Sequence, residues 1–107
     1  MKMEELEEFR ARGIKEGTNV VHFKRTLMSD EEAQKDRFKY IYEVIGLAQH
    51  TESAELLVLY RAVGSYEAWA RPVSSFFGKV DMNKYPLSKQ EYTFEPYVGD
   101  CETYYST

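Results

Sequence analysis

Residues 40–72 constrain this chain more than any other stretch. YIYEVIGLAQH, ELLVLYRAV and EAWARP are three runs rich in β-branched and aromatic residues, joined only by TESA and GSY. Connections this short cannot carry a crossover, so the three runs predict an antiparallel meander. Pro72 has no N–H for a ladder and closes the third strand. Upstream, TNVVHFK at 18–24 predicts another strand. Downstream, VSSFFG predicts a helical turn, Lys79–Met82 a further strand, and EYTFEPY a last one. The expectation is a mainly β protein, a small SH3-like antiparallel barrel over residues 18–97.

Two short helices decorate that barrel. Met3, Leu6 and Phe9 recur at three-residue spacing and predict a helix over 2–12, with Gly13 and Gly17 breaking the pattern. Ser29 with Glu32 three residues later is a capping-box signature, and Asp30 and Glu31 fall where the helix dipole favours negative charge. An inserted helix over about 30–37 follows. The whole is one domain of 107 residues: a helical extension (1–17), the barrel (18–97) and a tail (98–107), frayed or docked only by Tyr104 and Tyr105.

Strand alternation assigns the faces of the meander. With the turns at Thr51–Ala54 and Gly64–Tyr66, His50 pairs with Glu55, Tyr42 with Val63, Arg61 with Trp69, and Leu59 with Arg71. One face then carries Ile41, Ile45, Leu47, Leu56, Val58, Tyr60, Ala62, Ala68 and Ala70 and forms the core. The other carries Tyr42, Val44, Gly46, Ala48, His50, Leu57, Leu59, Arg61, Trp69 and Arg71 and is the candidate ligand face. Gly46 and Ala48 leave room above the sheet there.

Bulk charge narrows the partners. A net charge of −4 disfavours nucleic acid or an anionic membrane as a partner bound through the overall field. No apolar run reaches the roughly 20 residues of a membrane span, and the acidic start MKMEELEEFRARG lacks a secretory h-region. One cysteine, Cys101, excludes an internal disulfide and points to a reducing cytoplasm.

HFK (22–24), YEVIGLAQHTES (42–53), ELLVLYRAV (55–63) and WARPVSSF (69–76) together resemble the bacterial family called domain of unknown function 1653. Its members read HFKG, then Y-x-V-L-G-x-A-x-H-T-E-T, then L-V-V-Y-R, then W-x-R-P and a closing aromatic. The resemblance implies a small SH3-like β domain and carries no activity with it. This chain departs from the pattern by inserting residues 25–39, by its acidic N-terminal helix, by a longer C-terminal segment, and by Ser53 in place of threonine.

Candidate chemistry sits in three places. Arg61, Trp69 and Arg71 would set two guanidiniums beside an indole, an arrangement suited to an anion with a planar portion. The structural alternative is that each arginine is bridged to Glu43, Glu55 or Glu67. His50 and Glu52 flank a turn and could do acid/base work, against plain turn chemistry. Lys35, Arg37 and Lys39 interleave with Phe38 and Tyr40 as a single-stranded nucleic-acid surface would, although Asp30, Glu31, Glu32 and Asp36 cancel much of that field. His22, His50 and Cys101 lack ligand spacing, and no cofactor motif is present, so neither metal nor cofactor is expected. The reading is a binding module for an anionic small molecule or a peptide, its site made of Tyr42, His50, Arg61, Trp69 and Arg71. The alternatives are a nucleic-acid accessory domain and a small enzyme using His50 as acid/base.

Overall fold

The structure, a computed structural model, describes residues 3–98. The expected tail, with Cys101, Tyr104 and Tyr105, lies outside the described residues. In chain order the elements are α1 (Met3–Ala11), β1 (Asn19–His22), a 3₁₀ segment (Phe23–Leu27), α2 (Asp30–Lys35), β2 (Ile41–Gln49), β3 (Leu56–Ala62), β4 (Ala68–Pro72), α3 (Val73–Phe76) and β5 (Phe94–Pro96). The strands form one antiparallel sheet in the order β4-β3-β2-β1-β5. The fold is therefore mainly β with a few short helices. No ladder among the described residues joins β4 to β5, so the sheet is open where the strand pattern predicts a closed barrel. The strand expected at Lys79–Met82 reduces to one bridge, Lys79 to Tyr92.

Each helix has a local cause. Gly13, at φ 70°, takes the left-handed conformation that ends α1, and its N–H donates to the Arg10 carbonyl at 3.0 Å. α2 opens on the expected capping box: the Glu32 N–H donates to Ser29 Oγ at 3.1 Å and the Ser29 N–H to Glu32 Oε1 at 3.2 Å. α2 buries no residue, as a polar surface excursion should.

Two one-residue irregularities set the register, and both correct the expected faces. In the β2–β3 ladder Val44 pairs with Tyr60 and Gly46 with Leu59, so Ile45 is an extra, bulged residue. Beyond the bulge the expected register holds, and the His50 N–H donates to the Glu55 carbonyl at 2.8 Å. Before it, Tyr42 pairs with Ala62 instead of Val63. Across the Val63–Glu67 connection the β3–β4 register is also offset by one residue from the expected one, which pairs Trp69 with Tyr60 and Arg71 with Val58. Paired residues share a face. Tyr42, Val44, Leu47, Val58, Tyr60, Trp69 and Arg71 thus lie on one face, while Arg61 lies on the other beside Glu43. The expected separation into a core face and a ligand face does not hold: Trp69 and Arg71 stand at the margin of the core itself.

That core contains Phe9, Ile14, Val20, Val44, Leu56, Val58, Val73, Phe76, Phe77 and Phe94. Leu56 and Val58 are fully buried, as alternation predicts, whereas Leu47 and Tyr60 are only partly buried against the core and the bulged Ile45 is half-buried. Ile41 is buried too, but on the other face, in a small second cluster with Val63, Val21, Phe38 and Tyr97.

The sheet curls because its two edges share side-chain contacts. Phe76, at the end of the helix that follows β4, stacks on Phe94 of β5 with ring centroids 4.3 Å apart and planes 2° from parallel. Gln90, nearly fully buried, pins the intervening loop by donating from Nε2 to the carbonyls of Val21 and Tyr92, both at 2.9 Å. Arg12, just past α1, adds a clasp, its guanidinium 3.7 Å from the Tyr92 ring centroid. Phe94→Ala is expected to cost about 3–5 kcal/mol of stability, and Val58→Ala about 1–3 kcal/mol. Chemical denaturation of both variants checks this; a Phe94→Ala protein as stable as the wild type contradicts the central role of the stack.

Candidate functional site

The curled sheet gathers one polar-edged aromatic cluster. β1 supplies His22, β2 Tyr42, β3 Tyr60, β4 Trp69 and Arg71, and β5 Phe94. Register puts them all on one face: His22 pairs with Phe94, Val20 with Tyr42, Tyr60 with Trp69. The rings meet mostly edge to face, the geometry their quadrupoles favour. Tyr42 lies 5.4 Å from Tyr60, 5.7 Å from Phe94 and 6.3 Å from Trp69, centroid to centroid. The Arg71 guanidinium sits 5.3 Å from the Phe94 centroid. Trp69 is 45% exposed, so the cluster reaches solvent at β4.

The electrostatics are lopsided. Among the described residues no carboxylate pairs with Arg71, and neither the Trp69 indole N–H nor the Tyr42 and Tyr60 hydroxyls find a hydrogen-bond partner. His22 is held neutral. Its pKa is lowered from 6.5 to about 4, first by burial and then by the positive charges of Arg71 and Lys24. Its Nδ1 accepts the Lys24 N–H at 3.2 Å, which leaves the proton on Nε2 and makes that atom a donor. The Tyr42 hydroxyl is pushed up, chiefly by burial, so it too remains protonated and able to donate. The cluster therefore offers one cation and several neutral donors against flat apolar faces, a set suited to an anionic group attached to something planar or apolar.

Of the residues singled out in the sequence, the structure brings Tyr42, Trp69 and Arg71 together and places Arg61 and His50 elsewhere. On the opposite face Arg61 donates to Glu43, Nε to Oε1 at 2.8 Å and Nη2 to Oε1 at 2.7 Å. That is the structural alternative for this arginine. His50 works within the β2–β3 turn: its Nδ1 accepts the N–H groups of Glu52 and Ser53 at 3.1 and 3.2 Å. Glu52 is exposed in the same turn. His22, Tyr60 and Phe94 join the site without having been chosen for it. Alternation assigns Tyr60 to the core, and His22 stands out in the sequence only in the HFK segment and as a metal-ligand candidate without ligand spacing.

The basic stretch is largely engaged with its own neighbours. Lys35 pairs with Glu31 one helical turn back at 3.2 Å, Arg37 lies 5.7 Å from the Phe38 ring centroid, and Lys39 Nζ lies 5.4 Å from that of Tyr40. A shallow cleft of about 430 Å³ runs between Phe38, Tyr40 and Tyr42 and the end of β3. Tyr40 enters β2 with φ 67°, a left-handed conformation costly for a bulky residue, and its ring lies 5.9 Å from His22. Among the described residues no group of three or more His, Cys, Asp or Glu is placed to hold a metal. No helix of the described residues is long and apolar enough to cross a membrane.

A family model described as protein of unknown function (DUF1653) matches residues 19–96. The chain belongs to the DUF1653 family. Every strand and every residue of the aromatic cluster lies within the matched span, whereas α1 precedes it. The DUF1653 span also includes α2 and Tyr40. No curated protein and no solved structure matches the chain.

The neutral state of His22 has a measurable consequence. Below pH 6.5 the unfolded chain takes up a proton that the folded chain refuses until about pH 4. Stability is therefore lost as the pH falls from about 6.5 towards 4, with no further loss from this group below that window. Denaturation midpoints across that range should decline less steeply in His22→Asn than in the wild type; parallel curves would show that His22 does not report this shift.

Proposed function

We propose that this DUF1653 domain is a binding module of SH3-like architecture, a half-open barrel that recognises an anionic group on the face bearing Tyr42, Trp69 and Arg71. His22 and Tyr60 join that face. The observation that carries the reading is Arg71: half-buried over the Phe94 ring, beside a neutral histidine, and without a carboxylate partner among the described residues. A half-buried guanidinium without an anion among the described residues has given up part of its hydration for little return, and a ligand carboxylate or phosphate supplies what is missing. Trp69 gives the apolar or planar part of that ligand a surface to lie on. The strand order and the helical turn before β5 support the SH3-like reading, and the single cysteine fits a reducing cytoplasm.

Thermal-shift measurements on wild type and Arg71→Ala, with benzoate, citrate, nucleoside phosphates and a short oligonucleotide as probes, test this. At least one small anion is expected to stabilise the wild type, and Arg71→Ala to weaken its binding by about 1.5–3 kcal/mol, as for loss of a charge-assisted hydrogen bond. Stabilisation of both proteins alike, or of neither, overturns the reading. Stabilisation by the oligonucleotide alone, with a steep salt dependence, would transfer the site to nucleic acid.

A further inference from the structure

We infer that the partner of this face is an extended peptide that adds to the sheet as a strand along the free edge of β4 and places an acidic side chain against Arg71. The inference rests on the binding reading above and commits it to a peptide over a small molecule.

β4 is the outermost strand, paired only with β3. Apart from that ladder, no backbone hydrogen bond among the described residues involves Ala68–Arg71, while Pro72 caps α3. The outward N–H and C=O groups of the strand are thus a template for another chain. Soluble proteins commonly blunt such an edge with a lysine, a bulge, an early proline or a covering element. β4 has no lysine and no register shift, and its proline comes only at its last residue. Ala68, Trp69 and Ala70 are exposed, so nothing described covers the strand's first three residues. The opposite edge of the sheet differs: β5 is three residues long and ends on Pro96.

The chemistry of β4 then specifies the partner. An added strand presents alternate side chains to each face of the sheet. On one face they meet Ala68 and Ala70, which offer little beyond space. On the other they meet Trp69 and Arg71, an exposed indole and a guanidinium with no carboxylate partner among the described residues. Carboxylate opposite Arg71 and an apolar or aromatic residue two positions away, over Trp69, is the complementary pattern. Main-chain bonds would give the affinity and these two positions the selectivity. A second copy of β4 lacks the carboxylate: AWARP holds no acidic residue.

The test uses the full chain and a fluorescein-labelled peptide, acetyl-Thr-Val-Glu-Thr-Phe-Thr-amide, with fluorescence anisotropy and amide chemical shifts as readouts. The expected results are saturable binding, shifts concentrated on the backbone amides of residues 68–72, and a weakening of about 10- to 100-fold on Glu→Gln in the peptide or Arg71→Ala in the protein. Methylating alternate backbone nitrogens of the peptide, in each of the two phases, is expected to abolish binding in one phase only. If acetyl-glutamate amide or benzoate binds at Arg71 while the peptide binds no more tightly, or if both methylated peptides bind unchanged, strand addition is wrong and the anion site survives. If neither the peptide nor the small anions bind, both readings fall. A concentration-dependent dimer that protects the β4 amides without any peptide would assign the edge to a second copy and overturn the proposal.

Discussion

The contact between Phe76 and Phe94 is the one on which the rest of the molecule depends. β4 and β5 are the two edges of the sheet and share no ladder among the described residues. Their proximity comes from side chains: Phe76, immediately after β4, stacked on Phe94, with Phe77 edge-on to Phe76 at 5.2 Å and Phe9 of α1 edge-on to Phe77 at 6.2 Å. This chain of rings curls the sheet and seats α1 on its end. It also places Phe94 under Arg71 and against Tyr42 and Tyr60. The candidate site is thus an outgrowth of the core: the rings that bury apolar surface inside also form its floor. Closing by side chains has a second effect. A barrel closed by backbone bonds would use up the outer groups of β4, whereas this arrangement leaves them without partners among the described residues.

Much of the architecture was legible from local chemistry. Short turns enforced antiparallel pairing, Ser29 and Glu32 gave the capping box, and β-branched alternation gave the fully buried Leu56 and Val58. What failed was parity. The bulge at Ile45 and the one-residue register offset between β3 and β4 each reverse a strand's faces, and neither leaves a compositional mark. Gly46, next to the bulge, is an ordinary sign of backbone irregularity, but it does not say which neighbour is extra. Because both reversals act in the same sense, Tyr42, Trp69 and Arg71 stayed together while the whole group moved to the core side. Arg61, on a strand whose faces were read correctly, did not move with them and met Glu43 instead.

His22 shows why a site at a core margin is hard to see in a sequence. A histidine in a short strand reads equally well as structural, metal-binding or catalytic. Its role here is fixed by neighbours distant in the chain: Phe94 edge-on at 5.0 Å, Phe23 at 4.6 Å, and Arg71 across the sheet. Burial and two nearby cations keep the ring neutral, so Arg71 is not confronted by a second positive charge within the cluster. Had His22 ionised, it would have faced Arg71 as a like charge in poorly hydrated surroundings. The neutral histidine thus allows a lone guanidinium to sit over the aromatic floor.

The segment between β1 and β2 belongs to the same physical problem. After α2 the chain must turn back into β2, and it does so through Tyr40 in a left-handed conformation that glycine would adopt more cheaply. Two contacts hold that turn. The Arg25 guanidinium donates to the Lys39 carbonyl at 2.9 Å, and the Tyr40 carbonyl accepts the His22 N–H at 2.9 Å. A glycine at position 40 would relieve the backbone but remove the ring beside His22. Retaining tyrosine exchanges local backbone strain for one more wall against the histidine and a side to the cleft shared with Tyr42. This segment is therefore tied into the margin of the site through β1, and its effect on the site runs through Tyr40 instead of through α2, which buries nothing.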